Sequence, residues 1–399
     1  MSSLAPVEPR ERVIALDILR GFALLAVVIG NLFEYSGRAF EGEPPGGSLD
    51  VIARWIIAIF VESKGQTLLC MLFGFGFAIQ LLRADARGEP VMAMYIRRLV
   101  VLFAIGFLHV TLLWWGDVTW TYAVAGFGLL AFQRASNRTR VIAAAIFIVV
   151  PFAIMRLPGM WQRELEVIMP LPEFGASLQR MGSAIHAPSH AGLACAHLRF
   201  ALVFEAQLWG WYYFWILGRF LLGYVAGKNR WFERDGVEHL PVFRRMLRWS
   251  IPAAVLGTAL MVAEQLDVFP EKASAPIAIA RAIVTQLDYL GMALVYVAAV
   301  VLLVQRPRWR RVLGVIAPVG RMPLTTYLTQ SLVCTFVFYG WGLGWAGSVG
   351  AAGCLGFGIA LFALQVAWSH AWLRYFQYGP VEWVWRSLVY LKRPAMRVR

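Results

Sequence analysis

A chain of 399 residues that is 59% hydrophobic and only 15% charged carries more apolar surface than a water-soluble core can hide. Soluble domains hold roughly 25% charged and 45 to 50% apolar residues, so the soluble-enzyme, disordered, collagen-like and disulfide-scaffold classes drop out together. The net charge of +14 accompanies 17 Trp and 26 Phe, which points to basic loops flanking membrane helices and away from nucleic acid.

Apolar runs predict an all-α, polytopic membrane protein of about ten helices. They lie near 14–34, 65–82, 97–115, 118–133, 140–157, 203–227, 250–267, 282–304, 322–340 and 349–373. The stretch Val51 to Val61 is too short to cross and reads as interfacial. The chain therefore divides into an N-terminal membrane half (1–157), an extracytoplasmic loop (158–202) and a C-terminal membrane half (203–399). With the N-terminus inside, 27 of the 37 Lys and Arg residues fall on cytosolic segments, which predicts cytoplasmic termini at both ends. No cleavable signal sequence precedes the first run, and the four cysteines form no CxxC pair, so no metal site is expected.

On the first span, Asp17, Arg20 and Asn31 fall within about 60° of one another at 100° per residue. This polar stripe reads either as helix glue or as the lining of a path through the membrane. Next come Lys64 and Gln66, able to bind an anionic or polyol group at the outer face, and then the LFGFGF run, whose glycines permit tight helix packing.

In the third run Arg98 and His109 lie eleven residues apart on one face, and Trp114-Trp115-Gly116-Asp117 follows before Thr119 to Tyr122 re-enter. A histidine with a nearby carboxylate suits a general base, the acid orienting the imidazole. The alternative is a histidine bonded between helices, with Asp117 capping the fourth. Arg321 stands before Pro323 at the start of a cytosolic helix end, a place that suits a phosphate held by free amides; an interfacial anchor beside Trp383 and Trp385 is the other reading.

The LDILRG segment with Asn31, the LFGFGF run, the GxxH…LWWGD pattern, GRMPLTTYLTQS with Gln330, and YGPVEWVWR resemble the YeiB-like bacterial membrane proteins, with their C-terminal domain of unknown function 418. The resemblance covers residues 12 to 393. It implies a place in the wider transmembrane acyltransferase superfamily, beside the acyltransferase-3 proteins and the lysosomal heparan glucosaminide acetyltransferase. Such proteins move an acyl group from cytosolic acyl-CoA or acetyl-CoA to an extracytoplasmic glycan, lipid or metabolite. The heparan-type enzymes carry their histidine soon after the first span, whereas residues 22 to 108 here contain none, so the role passes to His109.

The resemblance thus implies His109 as base, Asp117 as its partner and Asn31 as an oxyanion donor. It implies Arg20, Arg98 and Arg321 as the coenzyme A contacts, and Asp17, Lys64, Gln66, Tyr122 and Gln330 as substrate contacts. The expected setting is the bacterial cytoplasmic membrane, among membrane lipids, with a homodimer allowed. The competing expectation is a transporter or flippase of an amphipathic molecule, in which buried charges such as Arg219 and Asp288 form the substrate path.

Overall fold

A computed structural model describes residues 13–42, 44, 46–87, 92–155, 171–208, 211–268 and 274–398. Arg10, Arg12, Arg156, Arg163, Lys272, Arg399 and the first part of the expected outer loop, 158–170, lie outside the described residues. Among those described, the protein is all-α. The long helices of the first half are α1 (Ile14–Tyr35), α4 (Lys64–Arg87), α5 (Met92–Leu112), α6 (Thr119–Ala131) and α7 (Asn137–Met155), with the short α2 (Arg38–Glu41) and α3 (Ser48–Phe60) between α1 and α4. The outer segment forms α8 (Leu171–His186) and α9 (His190–Leu208). The second half follows as α10 (Trp211–Lys228), α11 (Leu240–Gln265), α12 (Ala275–Val304), α13 (Pro307–Gly314), α14 (Ala317–Arg321), α15 (Pro323–Phe338), α16 (Ala351–Tyr375) and α17 (Pro380–Tyr390).

Among the described residues, seven segments are long and apolar enough to cross a membrane: Ile14–Tyr35, Ser48–Ala86, Met92–Leu112, Asn137–Ile154, Glu233–Gln265, Ala275–Val304 and Ala351–Tyr375. Three of the expected runs depart from full spans. The run at 203–227 is divided between α9 and α10. The runs at 118–133 and 322–340 form α6 and α15, of 13 and 16 residues, short of the ~20 that a bilayer requires. At 1.5 Å per residue, α6 extends only about 20 Å. The residues that precede it, Trp114 and Asp117, are buried. The segment expected as interfacial, α3, buries only Ala53 and Ala58 and reaches α4 through Ser63 in a left-handed turn.

α1 is the central post, apolar on nearly every face. Small residues set its closest approaches, because a side chain would drive the backbones apart. A Cβ at Gly320 would collide with the Asp17 carbonyl, and one at Gly21 with that of Ile316, so α14 lies directly on the first turns of α1. Likewise a Cβ at Gly257 would strike the backbone of Asp288, which locks α11 onto α12. Around the outer half of α1, Tyr35, Trp114, Trp115, Met181, Ile185, Phe200, Phe338 and Tyr339 form one apolar cluster. The segment expected as an extracytoplasmic loop thus forms two helices among the described residues, α8 and α9, whose Met181, Ile185 and Phe200 pack against Tyr35, Trp114 and Tyr339. Cysteine labelling at Ser136 and Ser183 of intact cells should give opposite sidedness; the same side at both would overturn the topology read from the basic residues.

Candidate functional site

The chemistry begins at the turn between α5 and α6. His109 ends the buried face of α5, and its Nδ1 lies 2.7 Å from Asp117 Oδ1, each residue being 3% exposed. The other carboxylate oxygen, Oδ2, accepts the backbone N–H groups of Thr119 at 2.8 Å and Trp120 at 3.0 Å. Asp117 therefore caps α6 and orients His109 at once; the two readings of this residue are one arrangement. Gly106 makes it possible, since a Cβ there would run into Trp120 N and Asp117. With Asp117 holding Nδ1–H, the neutral tautomer leaves Nε2 as the free base. That Nε2 is buried and has no hydrogen-bond partner among the described residues.

Side chains from distant elements pack around this pair. The Tyr327 ring of α15 stands 5.2 Å from the His109 ring, with its hydroxyl beside Asp117. Tyr35 of α1 packs tilted against Trp114 at 4.3 Å between ring centres and shares a 2.7 Å hydrogen bond with Ser331. Glu34 reaches towards Gly116 and Trp114 and lies within electrostatic range of both Tyr327 and Tyr339. From α9, His197 sets its ring 5.9 Å from that of Tyr339 and stands close to His109. Burial pushes the His197 pKa down to about 3, so it is neutral. The Trp114 Nε1 and Tyr339 hydroxyl groups are buried and unpartnered among the described residues, as is His109 Nε2. Buried polar atoms are paired in the great majority of cases, so these three stand out chemically, as does the Tyr327 hydroxyl, which also lacks a well-formed hydrogen bond among the described residues. Glu34, Trp114, Tyr327 and Tyr339 were not singled out in the sequence; His197 entered it only as one of three histidines in the outer segment.

Asn31 is half-buried on α1 and, among the described residues, has no hydrogen bond to His109 or Asp117. Near the start of α1, Arg20 pairs with Asp17 at 2.9 Å, the intrahelical partner its spacing suggested. Arg98 lies in the electrostatic neighbourhood of Arg20 and Arg386, with its guanidinium 4.6 Å from the Trp385 ring centre. Arg321 ends α14, whose Gly320 rests on the backbone of Asp17. Arg98 and Arg386 thus lie towards Arg20, and the backbone of α14 reaches the first turns of α1.

One detail corrects the phosphate proposal at α15. Its free amides are occupied by the protein's own anion: Glu382 of α17 accepts N–H from Leu324 at 2.6 Å and Thr325 at 3.0 Å, and the Thr325 hydroxyl at 2.5 Å. The two C-terminal motifs are therefore halves of one joint, and any phosphate must be held by arginine side chains. Burial raises the Glu382 pKa while these hydrogen bonds oppose the rise. Glu382→Ala is expected to lower stability by about 1–2 kcal/mol, the usual cost of losing a helix cap, and to expose α17 to proteolysis. Thermal unfolding and limited digestion read this, with Glu382→Gln the milder change.

The remaining expected substrate contacts have internal partners. Lys64 Nζ lies 2.7 Å from Asp288 Oδ2, with side chains 1% and 0% exposed, and also donates to the Ala58 carbonyl. Its charge is therefore met inside the bundle. Gln66 bonds the Tyr212 hydroxyl, and Tyr122 bonds Cys70 at 3.1 Å. Gln330 donates to Gln365 at 2.9 Å, joining α15 to α16. Arg219 is fully buried and bonds Thr67, Gln286 and the Trp215 carbonyl. No cluster of metal-ligating side chains occurs among the described residues.

Residues 226–392 match the family model described as "Protein of unknown function (DUF418)". The "Uncharacterized protein YxaH" of Bacillus subtilis strain 168 is 31% identical, with 98% of this chain and 97% of the relative covered. The "Uncharacterized protein YeiB" of Escherichia coli strain K12 is 28% identical over 95% and 96% of the two chains. A further relative, the 39.9 kDa protein in the amylase 3′ region of Bacillus acidopullulyticus, is 27% identical. No solved structure gives a significant match.

Proposed function

This chain belongs to the DUF418 family, in company with the B. subtilis and E. coli proteins it matches over nearly its whole length, and we propose that it is a transmembrane acyltransferase of the bacterial cytoplasmic membrane. Acyl-CoA enters from the cytosol and the acyl group passes to an extracytoplasmic acceptor. The observation that carries this reading is the buried His109–Asp117 pair with its unpartnered Nε2. A dyad oriented by a capping carboxylate, with its other nitrogen unpartnered and a tyrosine ring beside it, suits proton transfer, whereas a packing histidine has no need of an idle nitrogen.

In the proposed step, His109 Nε2 takes the proton of the acceptor group as its heteroatom attacks the thioester carbonyl. The C–O or C–N bond forms, the C–S bond breaks, and the departing thiolate recovers the proton from His109. Asp117 stabilises the transient imidazolium without becoming protonated. At the cytosolic end Arg20, Arg98, Arg321 and Arg386 supply charge for the coenzyme A phosphates.

Equilibrium binding of acetyl-CoA to the purified protein tests the donor. Arg98→Ala is expected to weaken binding at least tenfold, while Arg245→Ala, a cytosolic arginine elsewhere on the surface, leaves it unchanged. Equal affinities in both variants, or no binding by the wild type, would overturn the donor assignment. The buried Lys64–Asp288 pair and Arg219 favour transport as the second reading, and a transporter has no reason to bind acyl-CoA.

A further inference from the structure

A second imidazole that the proton transfer does not use lies beside the His109–Asp117 pair. His197 is 0% exposed, belongs to α9, sets its ring 5.9 Å from that of Tyr339 and stands close to His109, while Tyr339 and Trp114 share one buried cluster. One side of its ring rests against the Thr111 carbonyl, one turn beyond His109, yet neither nitrogen closes a well-formed hydrogen bond among the described residues. The geometry points to His197 as a direct contact of the acyl acceptor, and to a neutral hydroxyl as the acceptor group. This deepens the acyl-transfer reading and rests on it.

The argument is a count of donors and acceptors. Trp114 Nε1 only donates, the Tyr339 hydroxyl does both, His109 Nε2 accepts, and a neutral His197 whose N–H faces Thr111 also accepts. An alkylamine is an ammonium at pH 7 and brings donors alone, so it satisfies the imidazoles and leaves the Trp114 N–H buried and unpaired; its neutral form, which could both donate and accept, is only about a thousandth of the population. A carboxylate or phosphate brings acceptors alone, leaves both imidazoles unpaired, and meets the carboxylates of Glu34 and Asp117 besides. A hydroxyl donates to one imidazole and accepts from the indole or the phenol, so one group serves both kinds of partner. Sites whose buried polar groups are left unpaired by the wrong ligand discriminate strongly against it.

The test uses three probes that share one alkyl chain: 1-butanol, n-butylamine and butyrate. Full-length protein in nanodiscs is given acetyl-CoA, thiol release is followed, and the products are identified by mass spectrometry. Butyl acetate is expected at least tenfold faster than N-butylacetamide, with no product from butyrate. His197→Ala should raise the KM for butanol at least tenfold with the KM for acetyl-CoA unchanged, and His197→Asn, which keeps a donor and an acceptor, should recover part of the loss. Equal use of the amine, or an unchanged butanol KM in a folded His197→Ala protein, overturns the inference. If the wild type transfers no acyl group to any probe, the acyl-transfer reading fails instead. Saturation-transfer NMR of butanol then still reads the contact, which stands if His197→Ala abolishes the signal and falls if it does not.

Discussion

A His109→Ala protein is expected to fold, to bind acetyl-CoA with near wild-type affinity, and to lose about 10² to 10⁴-fold of the transfer rate, the usual contribution of general acid-base catalysis. The effect separates from binding because His109 lies in the last turn of α5, while Arg98 lies eleven residues earlier on that helix, in the electrostatic neighbourhood of Arg20 and Arg386. Asp117→Asn should cost less in rate but more in stability. An amide still accepts a hydrogen bond through its oxygen, yet loses the charge that favours both the α6 amides and the imidazolium. Steady-state rates and thermal unfolding of the two variants give this crossed pattern. A fully active His109→Ala protein would return the residue to helix packing.

The largest expected effect on stability lies elsewhere. Lys64→Met should destabilise the protein by about 3–5 kcal/mol, because it strands the Asp288 carboxylate, at 0% side-chain exposure, without its cation and with the Thr258 hydroxyl still donating to it. Replacing both members, Lys64→Met with Asp288→Leu, should recover most of the loss, since a buried ion pair exchanged for apolar residues of similar size is often near neutral. Denaturant or thermal unfolding in detergent measures both. A double variant no more stable than the single would mean that the charges serve something other than each other.

The sequence made the helical membrane architecture plain, since hydropathy reports burial in lipid directly. It was less informative where helices are short or interrupted: a hydropathy window runs through 203–227 without registering that two helices share it. His109 and Asp117 were legible as a pair because they are eight positions apart at one helix end, and that link is local. Tyr339, Glu34 and His197 were not, because each comes from a different element and only tertiary packing brings them to one wall. Tyrosines and tryptophans in a membrane protein also read naturally as interfacial residues, which hides those that turn inward. Lys64 looked available for an external anion for a similar reason: Asp288 lies far away in the chain and nothing local announces it. Glu382 inverted an expectation, since a helix start that seemed to invite a phosphate already holds the chain's own carboxylate.

The packing of α8 and α9 against later helices bears on how the protein is made. Ribosomes deliver α1, α5 and α6 before these two helices, and only afterwards α15 with Tyr327 and, just past its end, Tyr339. His109 and Asp117 are therefore made before the tyrosine that comes to lie beside them. The Gly340 N–H then bonds the Ile185 carbonyl at 2.7 Å, in a fit so close that any side chain at Gly340 would strike His186. That clasp joins the early and late products of translation, so a nascent chain halted before α15 leaves the ribosome with its assembly unfinished.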